Sequence, residues 1–306
     1  MRSTVLYMIT VLIWGSTWLA IEFQLGDIPA QVSLVYRFAI AAILMWAYCI
    51  FKRLDMRFAW SDHRFFLILA VCNFGGNYLI LYWAQNYLTS AMASIAFSTL
   101  LLMNIINTRI FFGRIIAKRI YVGAGLGVIG LGALFWPDIK SLDFASDAML
   151  GLGLALGGTF MASLGNMASV RNSARKIGVM QGNAWGMLYG ALALICVVLF
   201  TGVEFSFSSK PSYVLSLIYL ALFGTVIAFA CYFILLRDIG PEKASYSIVL
   251  FPFVAVALST FYEGFEWHVN TVLGFVFVII GNAIVLTPMA QIRHWFLHRK
   301  QRKDVS

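Results

Sequence analysis

Two carboxamides, Asn73 and Asn77, stand four positions apart in the run FLILAVCNFGGNYLILYWAQN (residues 66–86), with Gly75 and Gly76 between them and Tyr78, Tyr82 and Gln85 beyond. A carboxamide is neither nucleophile nor base. It donates and accepts hydrogen bonds, which suits reversible grip on the carboxylate and ammonium groups of a small molecule. In an earlier apolar run Trp14, Trp18 and Glu22 recur every four residues, giving two indoles and a carboxylate that would attract an amine through π faces and charge. Further polar side chains interrupt later runs: Ser94, Ser98, Thr99, Asn104 and Asn107, then Ser245, Tyr246 and Ser247 with Pro252. Weaker candidates are Asn166, Asn183, Trp185 and Asn282. The groups that catalysis needs are placed elsewhere. All four histidines fall in loops or the tail, and no pair of carboxylates sits within an apolar run. The four cysteines lie singly in such runs without a CxxC spacing. The chemistry expected is binding without catalysis, with no metal and no cofactor.

The elements that carry these residues follow from composition. Of 306 residues 61% are hydrophobic and 11% charged, and mean hydropathy is +0.85, far more apolar than soluble domains. A spanning helix needs about 20 apolar residues. The polar breaks leave ten such runs, near 4–22, 31–51, 65–83, 89–111, 119–136, 148–169, 179–201, 212–236, 243–262 and 269–288. The fold class expected is an all-α integral membrane protein with ten transmembrane helices. The first run lacks a small-x-small cleavage site and reads as a span, not a signal peptide. With the N-terminus inside, 19 of the 22 lysines and arginines fall in inside segments, leaving Lys140 and Lys210 outside and Arg37 within a span. By the positive-inside rule both termini are cytoplasmic. The net charge of +9 therefore implies no nucleic acid, and the basic tail is expected to contact anionic lipid.

Most polar positions admit a structural reading beside the functional one. Asn73 and Asn77 would share a helix face, either as interhelical glue with the glycines allowing close approach, or as the lining of a wet cavity. Pro252, inside the ninth run, frees a backbone carbonyl and is either a hinge or a fixed kink. Arg37 is costly in hydrocarbon; a carboxylate such as Glu22, or carbonyls, would pair with it. The pairs Gly123 with Gly127 and Gly153 with Gly157 have the spacing of packing contacts.

The chain also repeats itself. A shift of 151 residues lays Ala93–Phe97 on Ala244–Ile248, Gly113 on Gly264, Gly123 on Gly274 and Gly130 on Gly281. Shifts of 149 and 143 lay Phe74-Gly75 on Phe223-Gly224 and Gly15-Ser16 on Gly158-Thr159. Five spans per half is odd, so the halves enter the membrane from opposite sides, as two inverted five-helix repeats (1–140 and 141–290) before a basic tail (291–306). Such repeats place a substrate site between the halves near the midplane, exposed alternately to each side.

The ordered set WGSTWLA, VYRFAIAAILM, LFPFVAVALSTFYEGFEW and LGFVFVIIGNAIVL, spread over about residues 4–288, resembles the EamA-type transporters of the drug/metabolite transporter superfamily. The resemblance implies a ten-helix exporter of small metabolites such as amino acids, in a bacterial cytoplasmic membrane, with a cavity between the third, fourth, eighth and ninth spans. The proline and acidic residue that the family often carries late in the first repeat are absent here and survive only as Pro252 and Glu263. The expected substrate-binding residues are Trp14, Trp18, Asn73, Asn77, Tyr78, Tyr82, Ser98 and Tyr246, with Arg37, Glu22 and Pro252 gating or structural. A neutral cavity of amides, hydroxyls and rings suits neutral or aromatic amino acids. An amphipathic organic cation is the second reading and a lipid-carrier flippase the third. Monomer and homodimer both remain open, as do facilitated exchange and proton coupling through Glu22.

Overall fold

The computed structural model describes residues 2–26, 28–113, 118–134, 136, 147–244 and 246–286, and within them the secondary structure is helical without strands. Helices α1 (Arg2–Glu22) and α2 (Ala30–Phe51) are unbroken. Helix α3 (Trp60–Leu69) passes through a π-helical turn, Ala70–Phe74, into α4 (Gly76–Gln85). Then come α5 (Ser90–Phe97), α6 (Leu100–Phe112), α7 (Lys118–Leu134), α8 (Asp147–Ala174) and α9 (Val179–Thr201). Helix α10 (Pro211–Tyr219) widens into a second π-helical stretch, Leu220–Ile227, and continues as α11 (Ala228–Ala244); α12 (Tyr246–Tyr262) and α13 (Val269–Leu286) close the chain.

Seven segments are long and apolar enough to cross a membrane: Ser3–Glu22, Ala30–Phe51, Trp60–Gln85, Ser90–Phe112, Asp147–Ala174, Val179–Thr201 and Pro211–Gly240. Shorter apolar helices, Tyr121–Leu134, Leu250–Tyr262 and Val269–Gly281, stand where the other three runs were expected. Large apolar side chains such as Phe51, Phe200 and Phe261 point outward and are more than three-quarters exposed, the surface a lipid solvent would wet. The tail 291–306, Lys140 and Ser245 lie outside the described residues, as do the side chains of Tyr246 and Asn282.

The breaks within spans have local causes. Ser94, Ser98 and Thr99 each turn their hydroxyl onto the carbonyl three residues back (Ala91 2.8 Å, Ile95 2.6 Å, Ala96 2.8 Å), competing with the helical ladder where α5 gives way to α6. In the π-helical stretch before α11, Thr225 Oγ1 donates to Leu220 O five residues back at 2.8 Å. Helix α11 loses its helical dihedrals at Gly240 (φ 82°, ψ 160°), a left-handed position next to Pro241.

Packing joins the first half to the second throughout. Helix α1 lies against α11 and α12, while α8 lies against α4 and α6; α2 packs on α9, and α7 on α13. The last pair meets through backbone. A Cβ added to Gly130 would stand 2.7 Å from Gly274 O, and one added to Gly281 would stand 2.6 Å from Gly123 O. Low numbers on α7 thus face high numbers on α13, so the two helices run antiparallel. Gly123 and Gly127 do form the expected packing contact, both lying against Gly281. Gly153 and Gly157 do not: each has nothing within 4 Å. Their neighbours Gly151 and Gly158 are the ones pressed against Leu88 and Leu81. The turn of α8 that meets the bundle is set by its larger neighbours, so the spacing identified the right helix and the wrong face.

Gly274→Ala should therefore lower the stability of the detergent-solubilised protein by about 1–3 kcal/mol through overpacking. Gly153→Ala, in open space on a helix, should be neutral or stabilising by up to about 1 kcal/mol. Thermal unfolding of the two variants side by side checks both.

Candidate functional site

A cavity lies between α1, α4, α6, α8, α11 and α12. Its wall includes Trp14, Thr17, Trp18, Asn73, Asn77, Tyr78, Phe97, Leu100, Asn166, Phe229, Tyr232 and Phe251. The aromatic side is one packed group: the Trp14 ring stands 4.9 Å from Phe229, 5.0 Å from Tyr232 and 5.5 Å from Phe251. Trp14 is held from behind, its Nε1 donating to Gly224 O at 3.0 Å, and Trp18 meets Phe97 edge-on at 5.5 Å. About 40 Å³ is open to the centre of a water-sized sphere. That is room for roughly three waters, far below the several hundred Å³ of pockets that hold drug-sized ligands. The walls stand close together around the site, which is narrow but not sealed.

The polar wall is built from amides. Asn73, at the π-helical turn, approaches Asn166 of α8, with Nδ2 to Oδ1 at 3.3 Å; turned over, the same amide would donate to the carbonyls of Ala162 and Cys72 at 3.2 Å. Gly165 makes room for it, since a Cβ there would fall 2.6 Å from the Asn73 amide. Asn166 Nδ2 in turn donates to Asn104 Oδ1 (3.2 Å) and to the Tyr232 hydroxyl (3.4 Å), which also accepts from Asn104 Nδ2 (3.4 Å). Four side chains from four helices thus satisfy one another. Asn77 is different: it is 2% exposed, lines the cavity, and its Oδ1 has no hydrogen-bond partner.

The opening pair therefore divides in role. Asn73 belongs to an interhelical network, whereas Asn77 presents a buried, unspent acceptor. The glycines between them serve packing. Gly76 would clash with Met161 and Val71 O if it carried a Cβ, and Gly190 of α9 presses on Phe74 O, where a Cβ would stand at 2.8 Å. Four positions apart, the two amides share one side of this segment and both reach the cavity wall.

Of the other candidates, Trp14, Trp18 and Tyr78 line the cavity. Tyr82 does not: it is fully buried outside it, donating to Gln24 Oε1 at 2.9 Å and accepting from Arg37 Nη1 at 3.3 Å. Ser98 spends its hydroxyl on its own helix. Pro252 is buried in α12 beside the cavity residue Phe251. Glu22 is exposed at the end of α1, within electrostatic range of Glu263, and does not reach Arg37. Glu263 instead accepts the Ser90 amide (3.2 Å) and the hydroxyls of Ser90 and Ser259, a carboxylate at the N-terminus of α5. Arg37 binds Thr225 Oγ1 (2.9 Å) and the Tyr82 hydroxyl, with no carboxylate partner among the described residues. The expected pairing fails because Arg37 points into the bundle while Glu22 points away from it.

Phe229, Tyr232, Leu100 and Phe251 were not singled out, because a ring or leucine in an apolar run carries no polar signal. The repeat held one: the 151-residue shift lays Leu100 on Phe251, and both line the cavity. Two outward-facing grooves, of about 420 and 470 Å³, share no lining residue with the cavity.

The family model described as "EamA-like transporter family" matches residues 1–136 and again 149–287. The chain belongs to this family. It is a multi-pass membrane protein of a transporter family, similar along most of its length to named relatives. It is 27% identical to the "Uncharacterized inner membrane transporter YedA" of Escherichia coli K12, covering 90% of each chain. Protein PagO of Salmonella typhimurium is 24% identical, over 94% of this chain and 93% of its own. A solved crystal structure superposes with a TM-score of 0.68 at 17% identity, over 92% of this chain and 96% of that one, which shows a shared fold.

The network and the lone acceptor should respond oppositely to truncation. Asn166→Ala removes the shared partner of Asn73, Asn104 and Tyr232 and should cost about 1–3 kcal/mol. Asn77→Ala removes an acceptor that has no partner and should leave the unfolding temperature within a degree or two. Thermal unfolding in detergent distinguishes the two.

Proposed function

We propose that this EamA-like protein exports small zwitterionic metabolites, neutral or aromatic amino acids foremost, by alternating access through the cavity around Asn77. The observation that carries this reading is the unpartnered Asn77 Oδ1 on a buried wall otherwise made of rings and satisfied amides. A buried acceptor left unmade costs free energy, and a ligand ammonium would recover it. The rings of Trp14, Trp18 and Tyr232 offer both an apolar wall and π faces to the same group. The cavity is too small for a substrate of this size and would widen as the bundle opens.

Ten spans in two inverted repeats are the architecture this reading requires. Three observations support it: the family model matches the chain twice, α7 and α13 cross antiparallel at matched glycines, and helix pairing is unchanged when the halves are exchanged. Both halves also carry a π-helical stretch at positions related by the 149-residue shift, ending at Phe74 and spanning Phe223. We place the protein in the bacterial inner membrane with cytoplasmic termini, on the charge bias and the name of its relative YedA. An amphipathic cation is the weaker reading, because no carboxylate lines the cavity. A lipid carrier is weaker still, because the lateral grooves do not join it. With Glu22 outside the cavity, facilitated exchange is preferred to proton coupling through that residue.

The test is counterflow into proteoliposomes with labelled alanine, leucine, phenylalanine and a quaternary ammonium compound. Uptake of at least one amino acid is expected, reduced tenfold or more by Asn77→Ala in protein of unchanged stability. Uptake of the quaternary ammonium alone would replace this reading with the cation exporter. Glu22→Gln should keep both counterflow and any response to an imposed pH gradient; loss of that response alone would restore Glu22 as the coupling group.

A further inference from the structure

A guanidinium in the interior of a membrane bundle is expensive, and a carboxylate would ordinarily neutralise it. Arg37 is 0% exposed and has none. Its Nε and Nη1 are satisfied by the hydroxyls of Thr225 and Tyr82, and its carbon Cζ stands 4.5 Å from the centroid of the Tyr78 ring. Its Nη2 has no partner. The positive charge is thus held by dipoles and a π face, and one edge of the fork is unspent.

That edge is one residue layer from the cavity. Tyr78, which covers the guanidinium, is itself part of the cavity wall. Beside it, the absent Cβ of Gly224 would stand 3.4 Å from Nη2 and 2.8 Å from Thr17 Cγ2, another wall atom. Gly224 therefore packs tightly between Nη2 and the wall, with no room for a methyl group until Thr17 shifts. Gly224 lies in the wide turn Leu220–Ile227, and its carbonyl anchors Trp14. Asn77, next to Tyr78 on α4, stands on the same wall with a free oxygen that can only accept or remain unpaired.

We infer that Arg37 is the receptor for a substrate carboxylate, reached when Tyr78 and Thr17 move aside as the bundle opens, and that it restricts transport to carboxylate-bearing molecules. This rests on the amino-acid reading of the same cavity and adds its polarity. The carboxylate turns toward Arg37 and the ammonium toward Asn77 and the indoles. A planar carboxylate fits the fork geometry of a guanidinium, and the attraction is strong where water is excluded. The same charge repels a quaternary ammonium, which gives the cavity its discrimination.

Four probes of one shape separate the groups: phenylalanine, phenylalaninamide, phenethylamine and phenylpropionate, each tested for counterflow and for competition with labelled phenylalanine. The wild type should prefer phenylalanine to its amide by tenfold or more. Arg37→Gln should reduce that ratio to about twofold, and Arg37→Lys should retain part of it. Gly224→Ala, which keeps the charge but crowds Thr17 and the approach to Nη2, should weaken phenylalanine more than phenylalaninamide, so the ratio is read in whichever of the two variants folds. Equal movement of acid and amide by the wild type, or an unchanged ratio in Arg37→Gln, overturns the role of Arg37 while leaving amino-acid transport intact. Movement of phenylpropionate without any amino acid overturns the amino-acid reading and keeps the carboxylate receptor. Preference for phenethylamine, or movement neither of any of the four nor of alanine or leucine, overturns both.

Discussion

Hydrocarbon offers no hydrogen bonds, so every polar group placed at membrane depth must be met by the protein itself. This constraint organises the bundle. The amides of Asn73, Asn104 and Asn166 converge with Tyr232 from four helices because none could face lipid. The serines and threonine at the α5–α6 junction fold their hydroxyls back onto the backbone, and the span bends there as a result. The constraint is left unmet at several buried atoms, among them Gln24 Nε2, Gln85 Oε1, Asn172 Nδ2 and both amide atoms of Asn183 as well as Arg37 Nη2 and Asn77 Oδ1. Of these residues Asn77 alone lines the cavity, and Arg37 lies behind Tyr78 of its wall.

The second organising element is backbone contact at glycine. With no hydrophobic drive between helices in lipid, association depends on close packing. Gly130, Gly274 and Gly281 bring α7 and α13 together at their carbonyls, and Gly186 and Gly190 seat Phe74 against α9. These contacts hold a frame against which the cavity helices α1, α4, α8 and α11 are arranged.

Much of this was legible in the residues. Composition gave the membrane class, and polar side chains in apolar runs pointed to Asn73, Asn77, Tyr78, Trp14 and Trp18, all of which line the cavity. The failures are equally physical. A hydroxyl on a helix finds a carbonyl one turn back before it finds a ligand, which is why Ser98 contributes nothing to the cavity. Tyr82 was placed on the correct helix, but the buried cation it serves lies on α2, and no spacing rule links residues 37 and 82. Glu22 and Arg37 have opposite charge and lie near one another in sequence, yet the end of α1 turns its carboxylate outward. Phe229 and Phe251 are invisible in runs where every neighbour is apolar.

The wide turns at Ala70–Phe74 and Leu220–Ile227 carry a further consequence. A π turn holds one residue more than the ladder around it needs, much as a dislocation holds one extra half-plane in a crystal. Such a defect moves by exchanging one hydrogen bond at a time, never breaking the whole ladder. Each step rotates the helix beyond it relative to the helix before it. Asn77 follows one defect, and Gly224 and Thr225, beside Arg37, sit within the other. Gliding of either turn would re-aim a polar group at the cavity while both ends of the span stay fixed at their membrane surfaces.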